Sequence, residues 1–410
     1  LYQHLAQAGH MIAQYQLAYL YQYGLGVAKN SELATAWYSR ASQQGLPEAQ
    51  FALGIMYYYG INVTQGLTQA ADLFNQAAIN NSALSQYMLG YMYSTGYGLP
   101  QDVAMTVNWY SKAAAQNVPE AEYNLGVMYY LGQHVPVDFS KAFNFFNLAA
   151  QQEFAKAKSM LGLMYSFGQA VQINKDQAFY WYTQAAQQGV PVAQLNLGVL
   201  YYNGQGTQAN LTEAVSWIEK AANQSLPSAE YLLGYFNYNG IGVPKNPQQA
   251  LDWYMKAAKQ NFADAQFALG YLYHNGLSVP KDDRQALAWY SSAAKQGLPN
   301  AQYMVGLFYQ KGMGILSDPQ MAAYWYTKAA EQGMDNAQLL LGSMYAEAQG
   351  IPRDYKLAYT WLDLASTSSN STIRDAAIRL RDNLSKVMTP ADINAAKQLS
   401  QNYYNKYSNR

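Results

Sequence analysis

Residues 227–262 read PSAEYLLGYFNYNGIGVPKNPQQALDWYMKAAKQNF, and residues 263–298 read ADAQFALGYLYHNGLSVPKDDRQALAWYSSAAKQGL. Set one above the other, they share Ala229/Ala265, Leu233-Gly234-Tyr235/Leu269-Gly270-Tyr271, the Asn-Gly pair, and Trp253-Tyr254/Trp289-Tyr290, without an insertion. The same phase runs outward in both directions. Glycine stands at 54, 90, 126, 162, 198, 234, 270, 306 and 342, with Ala18 one period earlier, and every interval is 36 residues. Three residues after each anchor sits Tyr, from Tyr21 to Tyr345, with Asn237 as the exception; six after it sits Gly, from Gly24 to Gly312, until Ala348 breaks the series. All eight tryptophans (37, 109, 181, 217, 253, 289, 325, 361) fall on one repeat position, where the other two units carry Leu73 and Phe145. A period in this range marks a repeat array, which grows by adding units and not by enlarging one core.

Within a unit the apolar spacing is helical. Ala49, Leu53, Gly54 and Tyr57 form one stripe; Ala178, Trp181, Tyr182, Ala185 and Ala186 form another at i, i+3, i+4, i+7 and i+8. Each unit is therefore expected to be two helices. The Gly24-type glycine suits a left-handed end to the first, and Gly45, Gly189, Gly297 and Gly333, or Asn81, Asn117 and Asn261, suit the end of the second. Pro at 47, 119, 191, 227 and 299 can open the next helix. An anchor glycine inside a helix costs about 1 kcal/mol relative to alanine. Close approach of two helix backbones, Gly54 against Ala41-Ser42, is the expected reason for it, with Trp and Tyr filling the wedge between hairpins. The period is lost from Ser371, where Ile373, Ala377, Leu380, Leu384 and Val387 keep a stripe among charged residues and Thr389-Pro390-Ala391-Asp392 opens a last helix. The expected organisation is a repeat array over 1–368, in which 1–9 is the tail of a preceding unit, and two C-terminal capping helices over 369–410.

Charged residues are only 12% of the chain, and Lys plus Arg balance Asp plus Glu at 25 each, so no basic field exists to attract nucleic acid. The polar surface falls to amides, hydroxyls and 39 tyrosines. No apolar run is long enough to span a bilayer, and no cysteine is present to form a disulfide or a thiolate nucleophile.

The two motif blocks, Ala13-x-x-x-Leu17-Ala18-x-x-Tyr21-x-x-Gly24-x-Gly26-Val27 and Ala34-x-x-Trp37-Tyr38-x-x-Ala41-Ser42-x-Gln44-Gly45, resemble Sel1-like repeats, relatives of tetratricopeptide repeats with a longer unit. The resemblance covers residues 1 to about 368 and implies an all-α, right-handed alpha-alpha superhelix used as a protein-interaction scaffold. It further implies a bacterial envelope or secreted setting, periplasmic or host-facing, with a partner such as a cell-wall-processing enzyme (a lytic transglycosylase) or a host protein. The Asn-, Gln- and Tyr-rich makeup is similar to long arrays of the enhanced-entry type. Leu73, Thr106, Phe145, Asn237 and Ala348 depart from the repeat pattern at single joints.

In such a solenoid the core takes first-helix positions −4, −1, 0 and +3 from the anchor, and positions −3, +1, +4 and +5 face the inside of the curve. Tyrosines at −3 and +1 read more as packing than as contact. The residues at +4 and +5 are the expected partner-binding groove: Tyr58, Tyr59, Tyr130, Tyr202, Asn203, Tyr238, Asn239, His274 and Asn275. Tyr supplies rigid area at small entropic cost, and Asn both donates and accepts. The alternative occupant of the same groove is peptidoglycan or another carbohydrate. Catalysis is not expected. The four histidines have no second ligand at helical spacing, and Ser292-Ala-Ala-Lys295 is the repeat's own Ala-Ala pair, without the companion motifs of penicillin-recognising enzymes. No cofactor and no metal are expected.

Overall fold

In a computed structural model, which describes residues 2–408, the described residues form 23 helices and no strand. Leu1 and residues 409–410, the outermost positions of the expected terminal segments, lie outside the described residues. The chain divides into two compact units, residues 1–209 and 210–410. In the first, a short helix, Tyr2–Gln7, precedes helical hairpins, each a leading helix such as Pro47–Tyr59 followed by a trailing helix such as Leu67–Ile79. The second unit opens on the trailing helix Leu211–Ala222. It continues through hairpins such as Pro227–Asn239 with Pro247–Lys259 and Ala263–Asn275 with Asp283–Lys295, and ends in the helices Ser371–Ser385 and Pro390–Ser408.

The turn residues act as the spacing predicts. Every leading helix from Met11–Tyr23 to Pro299–Lys311 stops at a left-handed glycine, Gly24 at φ 70° being the first. Ala348 holds the same conformation at φ 55° and is the one repeat that does so with a β-carbon. The trailing helices turn at Gly45, Gly189, Gly297 and Gly333, and at Asn81, Asn117 and Asn261, all with positive φ; Glu153 and Ser225 fill the slot in two further units. A feature outside the sequence reading completes the loop. Trailing helices other than Leu67–Ile79, which starts at Gly66, begin on an Asx cap, for example Asp102, whose carboxylate accepts from Met105 N at 2.9 Å, and Asp282, which accepts from Arg284 N and Gln285 N. The cap residue's own N–H donates back across the loop to the carbonyl of the Tyr three past the anchor, as Asp282 N does to Tyr273 O at 2.9 Å. Because that bond uses only backbone, Asn237 can replace the tyrosine and still receive Asn246 N at 2.8 Å.

The packing corrects two expectations. The anchor glycine does make room, but for a ring and not chiefly for another backbone. A β-carbon on Gly54 would lie 2.7 Å from the Phe74 ring, one on Gly90 2.5 Å from Tyr110, and one on Gly270 2.5 Å from Tyr290. The residue that follows the tryptophan position is thus laid flat on the glycine, and it is this residue that has the deepest burial: Tyr38, Phe74, Phe146, Tyr290 and Tyr326 are at most 1% exposed. The tryptophans are the outer layer. Trp37, Trp109, Trp253 and Trp361 are buried, whereas Trp181, Trp217, Trp289 and Trp325 are half-buried; Trp37, Trp109, Trp217 and Trp253 each lie beneath a cation three residues on, as Lys220 Nζ is 3.6 Å from the Trp217 ring centroid. The tyrosines at +3 are likewise half-buried. Position +2 carries the core instead, through Met56, Met92, Met164, Leu272 and Phe308.

A polar seam runs beside this core at position −4. Gln14, Gln50, Gln86, Gln194, Gln266, Gln302 and Gln338 are all buried. Gln86 shows the arrangement. Its Nε2 donates to Ala78 O of the preceding trailing helix at 3.1 Å, and its Oε1 accepts from Gln116 Nε2 at 2.8 Å. In the second unit Gln302 repeats it, with Ala294 O at 3.2 Å and Gln332 at 2.8 Å. An amide suits the seam because one end must donate and the other accept, and a buried polar atom left unpaired is costly. Three units depart from glutamine: Glu122 and Glu230 accept from Gln152 and Gln260 at 2.8 Å each, and Lys158 pairs with Glu153. Burial pushes the carboxyls of Glu122 and Glu230 above the usual carboxylate range.

The last two helices close the second unit's apolar edge. Ile373, Ala377 and Leu384 of Ser371–Ser385 and Ala396 of Pro390–Ser408 share a buried cluster with Ala358, Tyr359 and Leu362, and the Tyr403 ring lies 4.5 Å from that of Trp361. Arg381 holds Asp363 at 3.0 Å, and Ser400 donates to the other oxygen of the same carboxylate at 2.7 Å.

Candidate functional site

Tyrosines one residue past the anchor stand out from the leading helices: Tyr19, Tyr91, Tyr235 and Tyr271 are 38–47% exposed. In the second unit they border a concavity of about 330 Å³ between Pro227–Asn239 and Ala263–Asn275. Its floor is Tyr254, Phe267 and Leu272; its walls are Tyr231, Tyr235, Tyr238 and Tyr271; Asn239 and Asp264 stand at its rim. The floor follows from the glycine packing, because Tyr254 lies on Gly234 and lifts the Tyr231 ring to 5.7 Å from its own. Burial, and then the charge of Asp264, raise the Tyr231 phenol; burial also raises Tyr238 and Tyr254. The hydroxyls therefore stay protonated, as hydrogen-bond donors, across neutral pH.

The nine residues expected to form the groove have different surroundings. Tyr238 and Asn239 line the concavity. Tyr58 does not stand open: it is 6% exposed, with the Tyr59 ring edge-on at 4.9 Å and the Tyr97 ring at 5.5 Å, and burial pushes its phenol up to about 12. Tyr130 is half-buried between Phe139 and Phe146 and donates to Gln169 Oε1 at 2.8 Å. Tyr59, Tyr202, Asn203, Asn239 and Asn275 are exposed. The amides of Asn239 and Asn275 nevertheless donate to Tyr235 O and Tyr271 O at 2.9 Å, so they close their own helix ends before meeting any guest. His274 is half-buried on the Phe308 ring, its Nδ1 2.6 Å from Asp283 Oδ1.

Position −3 and +1 tyrosines, read from sequence mainly as packing, thus share the walls with Tyr238 at +4, which the sequence places in the groove. Their coincidence on one helix face is the sequence signal for them, although a tyrosine at those offsets also satisfies a purely structural role. Ser292, of the S-x-x-K match, donates to Ala288 O at 3.0 Å within its own helix, while Lys295 is exposed. Among the described residues no group of three or more His, Cys, Asp or Glu is placed to hold a metal ion, and no helix is long and apolar enough to cross a membrane.

Comparison with known proteins bears on the fold. A family model described as the Sel1 repeat matches ten consecutive stretches: 12–46, 47–82, 83–118, 119–154, 155–190, 191–226, 227–262, 263–298, 299–334 and 335–370. Among solved structures, a protective antigen present in uropathogenic Escherichia coli strains and displaying an SLR fold is 32% identical, over 99% of this chain and 94% of that one, with a TM-score of 0.64. A Sel1 repeat protein from Oxalobacter formigenes is also 32% identical, over 75% of this chain and 89% of that one, with a TM-score of 0.56. No curated protein matches the chain.

Proposed function

Since the chain belongs to the Sel1 repeat family, whose repeats mediate protein–protein interaction, we propose that it is a non-catalytic scaffold that docks a protein partner on the tyrosine-bearing faces of its leading helices. The observation that carries this reading is the concavity walled by Tyr231, Tyr235, Tyr238 and Tyr271. Exposed tyrosines on a rigid helical frame give a partner large contact area with little ordering cost. The partner is a bacterial envelope protein, such as a cell-wall-processing enzyme, or a host protein, and the setting is periplasmic or secreted. The similarity to a chain described as a protective antigen of uropathogenic Escherichia coli supports that setting. Tyrosine faces rimmed by amides also suit sugars, which makes peptidoglycan the second reading.

Replacing Tyr235 and Tyr271 together by Ala tests the proposal. Both side chains are exposed, so helicity and melting temperature should hold while capture of the envelope partner weakens at least tenfold, about 1.4 kcal/mol. Retention of isolated cell wall, lost in the double variant in place of protein capture, would move the conclusion to carbohydrate; undiminished binding of both would place the site elsewhere.

A further inference from the structure

The tyrosines at −3 and +1 do not occur at random among the units. Three leading helices carry Tyr at both −3 and +1: Tyr15 with Tyr19, Tyr87 with Tyr91, and Tyr231 with Tyr235. Three leading helices carry an acid at their second position, Glu48, Glu120 and Asp264. Each acid stands in the unit that follows a tyrosine pair, 33 residues after its first member. Where the pair is incomplete the acid is missing too: Tyr123 with Val127 is followed by Lys156, and Tyr303 with Leu307 by Asn336. An acid in a first turn is favourable to any helix, but that role gives no reason for the acids to follow the tyrosine pairs.

The geometry brings the members of the third set together, and the repeat places the other two sets in the same register. Asp264 lines the concavity with Tyr231 and Tyr235. The charges of Glu48 and Glu120 act on the phenols of Tyr15 and Tyr87, each second only to burial in raising them. Glu48 and Asp264 are exposed and Glu120 is half-buried, and among the described residues none of the three is ion-paired with a cation of this chain. Cations of this chain do sit on its aromatic faces elsewhere: Lys256 is 3.9 Å from the Trp253 ring centroid and Lys220 is 3.6 Å from that of Trp217. A ring face within about 6 Å attracts a cation through its quadrupole, and a neighbouring carboxylate adds direct charge attraction.

We propose that the three tyrosine-pair-and-carboxylate sockets, Tyr15/Tyr19/Glu48, Tyr87/Tyr91/Glu120 and Tyr231/Tyr235/Asp264, each receive a lysine or arginine side chain of the docked polypeptide. The inference rests on the docking reading above and gives the partner a chemistry, a basic segment. The chain's formal charge of zero provides no general pull on such a segment, so attraction must be local.

The test is anisotropy of fluorescein-labelled hexaarginine with the full chain at low ionic strength, hexaglutamine serving as the uncharged control. The wild type should prefer hexaarginine at least tenfold. Tyr19→Leu/Tyr91→Leu/Tyr235→Leu should weaken it at least fivefold with net charge unchanged, and Glu48→Gln/Glu120→Gln/Asp264→Asn by a similar factor. Tyr→Phe at the same three positions keeps the ring faces and should retain binding, which keeps the test decisive even if the leucine variant fails to fold. No preference for hexaarginine, a leucine variant that is folded and binds as the wild type, or a phenylalanine variant that loses binding would overturn the proposal. A photocrosslinker at Tyr235 separates the two readings. If it traps a polypeptide while hexaarginine ignores the sockets, docking stands and the basic segment falls; if neither occurs, docking falls as well.

Discussion

Tyr290 has no exposed surface, and its ring lies 2.5 Å from where a β-carbon on Gly270 would sit. Two opposed effects of Gly270→Ala can be weighed: helix propensity gains about 1 kcal/mol, and overpacking against a ring held on all sides costs about 1–3 kcal/mol. Net loss is expected, read as a lower melting temperature, and a rise would show that the ring has room to move. The buried acids of the amide seam give a prediction of opposite sign. Folding raises the pKa of Glu122 and Glu230 above 4.5, so their contribution is fully present below that value and is lost as pH rises through the raised folded value. At neutral pH both carboxylates oppose folding. Glu122→Gln/Glu230→Gln, which installs the residue of the other seam positions, should raise the melting temperature at pH 8 and leave it nearly unchanged at pH 4. A lower melting temperature at pH 8 would mean that the ionised carboxylates contribute more than their desolvation costs.

Hairpins of this kind are fixed at their ends as much as along their faces. Asp282 accepts two N–H bonds at the start of its helix, at 2.9 and 3.0 Å, and its own N–H ties the loop to Tyr273 O. Asp282→Ala removes only the side-chain part and should cost about 1 kcal/mol in thermal or denaturant unfolding; no loss would mean that water replaces the cap at no expense. The hairpin register was legible in the sequence because left-handed positions admit few residue types, so Gly24 and its eight glycine counterparts, and Gly45 or Asn81, announce the ends directly. The faces were less legible. A half-buried helix presents several adjacent stripes of similar polarity, and the choice between Met56 and Tyr57 for the core, or between Tyr58 and Tyr235 for the open surface, depends on a few tens of degrees of helix rotation. The tryptophan and the ring after it both recur in the sequence; only the position of the glycine against Phe74 or Tyr290 separates the outer ring from the inner one.

For the chain as a whole, ten repeats with a formal charge of zero and 12% charged residues describe a scaffold whose specificity is local. Stability in such arrays accumulates from neighbouring interfaces, which leaves single exposed positions free to differ between units. The placement of tyrosine pairs on three of the ten units uses that freedom. Photocrosslinking in cells decides whether this surface is where a partner sits. A crosslinker at Tyr235, 42% exposed on a leading helix, should trap a discrete polypeptide; one at Tyr180, 50% exposed on a trailing helix, should trap none. Equal trapping at both positions, or trapping at Tyr180 alone, would contradict the assignment of binding to the tyrosine faces of the leading helices.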